Sequence, residues 1–269
     1  SHVKGRDVTI IVHVGAVDGK TAIRLAKHAE KAGADAISSV PPFYYKLDER
    51  GIFEYYRELS KTVNIPVFIY SIPETTGVII GCDAVAKFME IDNIIGMKFS
   101  SRDLSEMCRI KELDKGRFKV FFGVDQILAA GLVMGAEGGI GGTYNMMPGR
   151  YVDVYKYIRK NDWKKASEVQ YRISRYFHIC RKYGSAISVI KTVLSVIHDT
   201  DMGGVTPPLR NLTPDEATEL IKELDENGFF EFIGMDKVRG SLHPKDFFKK
   251  NFKQTGSEFK NRTDFFINK

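Results

Sequence analysis

The chain has 269 residues, 43% hydrophobic and 28% charged, with a formal net charge of +6. That length suits one large α/β domain or two small ones, and no apolar run approaches the ~20 residues of a membrane-spanning helix. Nine basic and four acidic residues fall between Asp236 and Lys269, so the remainder is nearly neutral and the overall basicity is no argument for nucleic-acid binding.

Three cysteines, Cys82, Cys108 and Cys180, are scattered without metal-ligand spacing. This is the pattern of free thiols in a reducing compartment, and no metal site is expected. Residues Ser1 to Asp7 are polar and charged, without a following signal-type apolar stretch. The expected location is cytoplasmic.

In chain order, Val8 to Val12 reads as a strand ending at His13-Val14-Gly15, and Ala22, Leu25, Ala26 and Ala29 recur at helical spacing before Gly33. Ala34 to Val40 is a second strand running into the aromatic loop Pro41-Pro42-Phe43-Tyr44-Tyr45, and Ile52 to Lys61 is helical. Val67-Phe68-Ile69 leads to Tyr70, and Asp83 is placed to cap a helix from Ala84 to Glu90. Ile94-Ile95-Gly96-Met97 leads to Lys98, followed by a helix from Asp103 to Leu113. Phe118 to Phe122 is a strand, a helix runs to Met134, and Gly138 to Asn145 is a short strand opening into a glycine-rich turn. That turn lacks the lysine and hydroxyl of a phosphate-binding loop. After Pro148 the pattern is helical, and the last helix starts with the capping box Thr213-Pro214-Asp215-Glu216.

Six β-then-α units with short connections imply a parallel sheet with right-handed crossovers. The polar groups that break the pattern stand at strand C-termini, where barrels and open α/β sheets both place their ligands. A lysine closing a buried strand is costly if unpaired and charged. Losing its proton makes it a nucleophilic amine, and Tyr70 on a neighbouring strand end can move protons for it. Taken as ordinary residues, Lys98 snorkels to the surface, Tyr44 and Tyr45 are loop packing, Asp125 caps a helix, and His13 is a core or strand-end histidine.

The segments His13-Val14-Gly15, Pro42-Phe43-Tyr44-Tyr45, Tyr70-Ser71-Ile72-Pro73, Gly96-Met97-Lys98-Phe99, Gly123-Val124-Asp125 and Gly135 to Asn145 occur in one order from about Asp7 to Leu224. Together they resemble the N-acetylneuraminate lyase branch of the dihydrodipicolinate synthase/N-acetylneuraminate lyase family of class I aldolases. The resemblance implies a (β/α)₈ barrel with a C-terminal helical region, assembled as a homotetramer. It implies a Schiff-base lyase that cleaves N-acetylneuraminate or a related 2-keto-3-deoxy sugar acid to pyruvate and an aldehyde. Lys98 matches the Schiff-base lysine, Tyr70 the proton-shuttling tyrosine, and Tyr44 a relay tyrosine that in some members crosses a subunit contact. Ser100, Gly123, Asp125, Gln126 and Gly142 match substrate-binding positions. No cofactor is implied beyond the covalent imine on Lys98.

Gln126 stands where the sialic acid lyases carry glutamate and Gly142 where they carry serine; Thr75 replaces the arginine of the synthase branch. The six units match the family from its third strand onward, so an incomplete barrel is expected. The expected division is residues 1–147 as the partial barrel, 148–230 as the last barrel helix and helical region, and 231–269 as a basic tail. The alternative reading is a catalytically impaired homologue acting as a binding or assembly subunit.

Overall fold

A computed structural model describes residues 7–113 and 116–235; the Asp236 to Lys269 tail lies outside the described residues. The described chain falls into two compact units that divide between Ile140 and Gly141.

The first unit alternates strand and helix. Its order is β1 (Ile11–His13), α1 (Gly19–Lys31), β2 (Ala36–Ser39), α2 (Glu49–Thr62), β3 (Val67–Ser71), α3 (Pro73–Thr76), α4 (Cys82–Phe88), β4 (Ile94–Phe99), α5 (Leu104–Leu113), β5 (Lys119–Phe122), α6 (Leu128–Val133) and β6 (Gly138–Gly139). All six strands are parallel, and their spatial order is their sequence order. A doubly wound sheet reverses its strand order; this one does not. Right-handed crossovers between successive neighbours put every helix on the same side. The result is the wall of an incomplete (β/α)₈-type barrel among the described residues, with β1 and β6 as its edges.

The strands form where short apolar runs meet helix stop signals. Gly33, with φ of 87°, takes the left-handed conformation that only glycine adopts cheaply after α1. Asp18 and Asp48 accept backbone N–H bonds from Thr21 and Gly51, capping α1 and α2. The helix expected from Ala84 instead begins at Cys82, and Gly81 occupies its N-cap without a side-chain bond. Glu106 does the work expected of Asp83: its carboxylate accepts the Cys82 N–H at 2.5 Å. The other expected strands and helices are present with shifted ends, and the structure adds two short helices: α3 after β3, and Phe229–Phe232 after the capping-box helix, which is therefore not the last. Cys82, Cys108 and Cys180 are free thiols.

Side-chain alternation gives the wall two faces. Ile69, Met97 and Val120 share register positions and are fully buried. Phe122 also lies on this helix-covered side, so close to α6 that a Cβ on Gly131 would sit 2.4 Å from its ring. Tyr70, Lys98 and Phe121 share register positions on the opposite, inner face. Between Val67 and Phe68 the register shifts: Val67 pairs with Ile94, but Phe68 pairs with Gly96. The extra residue, Ile95, is a bulge. A one-residue slip exchanges the two faces of a strand, and here it brings Lys98 onto the same face as Tyr70. Gly96 is required at the bulge, because a Cβ would lie 2.3 Å from the Lys119 carbonyl oxygen.

The second unit is helical: α7 (Pro148–Arg159), α8 (Trp163–Cys180), α9 (Ala186–His198), α10 (Pro214–Glu226) and α11 (Phe229–Phe232). Its core includes Tyr151, Ile173, Tyr176, Leu220, Phe229 and Phe230. The capping box at Thr213 is formed, and Arg210 adds a two-bonded contact to the same Glu216 carboxylate, at 2.7 and 2.8 Å. Those bonds hold the Glu216 pKa at about 2, below its ordinary 4.5. A depressed carboxylate pKa gives stability that is complete above the ordinary value and lost as pH falls through the depressed one. In urea titrations, the stability advantage of the wild type over Glu216→Gln is therefore expected to be constant above pH 4.5 and to vanish on approaching pH 2.

Candidate functional site

The inner face of the first unit carries its reactive groups at the C-terminal ends of β3, β4 and β5. Backbone ladders continue past the strands there: Ser100 N–H bonds the Ser71 carbonyl and Gly123 N–H bonds the Phe99 carbonyl, both at 2.8 Å. These bonds hold three strand ends at neighbouring positions. Lys98 and Tyr70 are directly opposite; the lysine Nζ donates to the Tyr70 hydroxyl at 2.8 Å and stands 4.0 Å from the centre of its ring. Both side chains are half-buried. A phenol so close satisfies one of the three amine donors and offers a group that accepts or returns a proton.

Ser100 and Gly123 close the site from the β5 side. Ser100 is 8% exposed, and its hydroxyl has no hydrogen-bond partner among the described residues. A buried hydroxyl that the protein leaves unmet costs about 1–3 kcal/mol unless water or a ligand meets it. A Cβ at Gly123 would sit 1.9 Å from Ser100 Oγ and 3.0 Å from Lys98 Cε. Glycine at this position is what allows the serine and lysine to approach the β5 end together. Asp125 and Gln126 follow in a short 3₁₀ turn, Asp125–Ile127, with Asp125 buried.

Two residues singled out from sequence lie apart from this cluster in what they touch. Tyr44, in the loop after β2, is 71% exposed and packs edge-on against Tyr45 at 4.9 Å. Gly142 belongs to the second unit, where a Cβ would meet Ile190 at 3.2 Å. A further residue joins the cluster. The imidazole of His13 meets the Tyr70 ring edge-on, with centroids 5.7 Å apart. Burial, and then the positive charge of Lys98, lower its pKa below the ordinary 6.5. The strand-end position of His13 was legible in sequence, but its neighbour was not; the signal lies in register, since His13, Ser38 and Phe68 occupy equivalent positions on β1, β2 and β3.

Among the described residues no cluster of histidine, cysteine or acidic side chains is arranged to hold a metal ion, and no helix is long and apolar enough to cross a membrane. The chemistry on offer is that of an amine, a phenol and a hydroxyl converging at strand ends.

The dihydrodipicolinate synthetase family model matches residues 1–227. An N-acetylneuraminate lyase from Mediterraneibacter gnavus is 34% identical over 218 residues, 80% of this chain and 69% of that protein. The Rattus norvegicus N-acetylneuraminate lyase is 29% identical over 84% of this chain and 72% of its own. Among solved structures, the wild-type sialic acid aldolase of Ruminococcus gnavus superposes with a TM-score of 0.80 at 32% identity, covering 84% of this chain and 75% of that one. A prophage protein of the dihydrodipicolinic acid synthase family from E. coli K12, solved in complex with pyruvate, superposes with a TM-score of 0.77 at 26% identity, covering 84% and 77%. With the sequential parallel sheet, the lysine at the end of its fourth described strand and a family match over most of its length, this chain belongs to the dihydrodipicolinate synthetase family.

Proposed function

We propose that the protein is a carbon–carbon lyase of the class I aldolase type, acting on N-acetylneuraminate or a related 2-keto-3-deoxy sugar acid. The observation that carries this reading is the 2.8 Å contact between Lys98 Nζ and the Tyr70 hydroxyl on the inner face. The names of the relatives support the sugar-acid class: they are N-acetylneuraminate lyases, and a Clostridium difficile relative was solved with mannosamine.

The unprotonated amine of Lys98 adds to the C2 ketone of the substrate, and the Tyr70 hydroxyl gives its proton to the departing oxygen, so that water leaves and an iminium and a phenolate remain. Tyr70 takes the proton of the C4 hydroxyl as the C3–C4 bond breaks. The bonding pair moves into the iminium to give an enamine, and the aldehyde (N-acetylmannosamine, if the substrate is sialic acid) departs. Tyr70 gives the proton it took to C3 of the enamine, and water hydrolyses the resulting iminium to pyruvate and the Lys98 amine, the proton released returning to Tyr70. The iminium supplies the electron sink, so the scheme uses no metal or organic cofactor.

Ser100 offers its unpartnered hydroxyl to the oxygen at the reacting carbon. Gly123, Asp125 and Gln126 hold the polyol, and the resemblance adds Gly142 to this set. Gln126 binds hydroxyls without the charge assistance that a glutamate gives, which favours a sugar chain different in detail from that of the lyases carrying glutamate. Tyr44, exposed on its loop, serves a neighbouring subunit of a homotetramer in this scheme.

Sodium borohydride added with saturating pyruvate is expected to leave one reduced pyruvyl group on the peptide containing Lys98, read by mass spectrometry. No adduct, and no rise in melting temperature with pyruvate, would leave the chain as a binding or assembly subunit. Tyr70→Phe is expected to retain slow adduct formation while kcat for cleavage falls by roughly 10²–10⁴-fold, the usual contribution of a positioned acid–base group. Ser100→Ala removes the unmet hydroxyl, so its denaturation midpoint is expected to rise or hold steady. The same variant should cleave the sugar acid less efficiently and yet trap pyruvate as the wild type does.

A further inference from the structure

The Lys98–Tyr70 contact joins two side chains that are each only half-buried. Lysine brings four rotatable bonds to that contact and a large loss of freedom on ordering, so it cannot anchor the pair. The anchor must act on the tyrosine ring, which has two torsions. The described ring neighbour of Tyr70 is His13, edge-on at an interplanar angle of 87° and 5.7 Å between centroids. The two residues are on strands that do not pair: β2 intervenes, and opposite His13 it presents Ser38, a side chain small enough to let the rings meet across it.

The imidazole is itself seated. A Cβ at Gly15 would fall 2.7 Å from His13 Cε1, 2.8 Å from His13 Nε2 and 2.7 Å from Val40 Cγ2. The ring therefore lies over the bare backbone of Gly15, in a space that Val40 also borders, and stands at 87° to the Tyr70 ring. These contacts fix one imidazole orientation, and the orientation determines where the phenol can stand.

We propose that His13 is a positioning residue: seated over Gly15, its ring holds the Tyr70 ring so that the phenol stays on Lys98 Nζ. The inference rests on the Schiff-base reading given above. The group does not touch the reacting atoms; it acts through Tyr70, and it acts by shape. An aromatic ring of another kind can therefore replace it, whereas a polar side chain without a ring cannot.

The test compares His13→Ala, His13→Asn, His13→Phe and Gly15→Ala in the full chain. His13→Ala and His13→Asn are expected to lower kcat for sugar-acid cleavage by about 10–100-fold, the scale of a misplacement near 1 Å, with KM little changed. His13→Phe should restore most of that loss. Gly15→Ala should mimic His13→Ala by displacing the ring, and the double variant His13→Ala/Gly15→Ala should be no worse than either single one. A direct readout stands beside the kinetics: the ¹³Cζ resonance of Tyr70, assigned with Tyr70→Phe, should shift in His13→Ala and Gly15→Ala and stay in place in His13→Phe. Full kcat in His13→Ala, rescue by Asn and not Phe, or an unmoved Tyr70 resonance would overturn the proposal. Absence of a borohydride adduct in the wild type would instead fall on the Schiff-base reading, because the resonance arm still reports on Tyr70.

Discussion

An amine and a phenol in hydrogen-bond contact at the ends of two buried strands are the constraint around which the first unit is arranged. Burying a lysine costs free energy unless its donors are met, and Tyr70 meets one of them. Everything nearby leaves room for that contact. Gly123 withholds a side chain that would collide with Ser100 and crowd the lysine stem. Gly96 lets β5 approach at the bulge. Ser38 opens the gap through which His13 reaches Tyr70. Small residues are thus concentrated where the reactive ones need space, and Ile69, Met97 and Val120 are fully buried on the other face.

The helix-covered face and the inner face carry different burdens. On the first, apolar burial at about 25 cal/mol per Å² supplies stability. On the second, polar groups are less well met: among the described residues Ser100 Oγ has no hydrogen-bond partner, and burial, then the lysine charge, lower the His13 pKa below its ordinary 6.5. Unmet polar groups and displaced titrations in one place are the mark of a site arranged for something other than its own folding. The second unit shows the contrast. Its polar groups are matched in the ordinary way, as where Arg210 and the Thr213 backbone both bind Glu216.

Much of this was legible in the residues. Short apolar runs ending in Tyr70 and Lys98 announced strand ends, and repeated βα alternation announced a parallel sheet with right-handed crossovers; that its helices lie on one side follows from the sequential strand order. What escaped were relations between segments. The bulge at Ile95 is hidden inside an uninterrupted apolar run, and only its pairing with β3 exposes it. The N-cap of α4 was assigned to the local Asp83, while the structure uses Glu106 from 24 residues away. His13 carried a correct local description, a strand-end histidine, that says nothing of the tyrosine two strands over. The unpartnered state of Ser100 is a property of its surroundings and has no sequence signature.

The bulge in β4 makes the chemistry depend on a count. Which face a strand residue occupies is a matter of odd or even position, and Ile95 resets that parity between the buried start of β4 and its reactive end. Point changes that preserve volume leave the parity intact. Drawing Ile95 into a regular ladder would turn Lys98 toward the helices and Met97 toward the mouth, with composition and hydropathy unchanged, whereas a strand one residue shorter there would reach the observed pairing without a bulge. The face on which the amine stands is therefore set by how β4 pairs with β3 and not by its hydropathy, and the bulge with its bare Gly96 is the hinge on which that pairing turns.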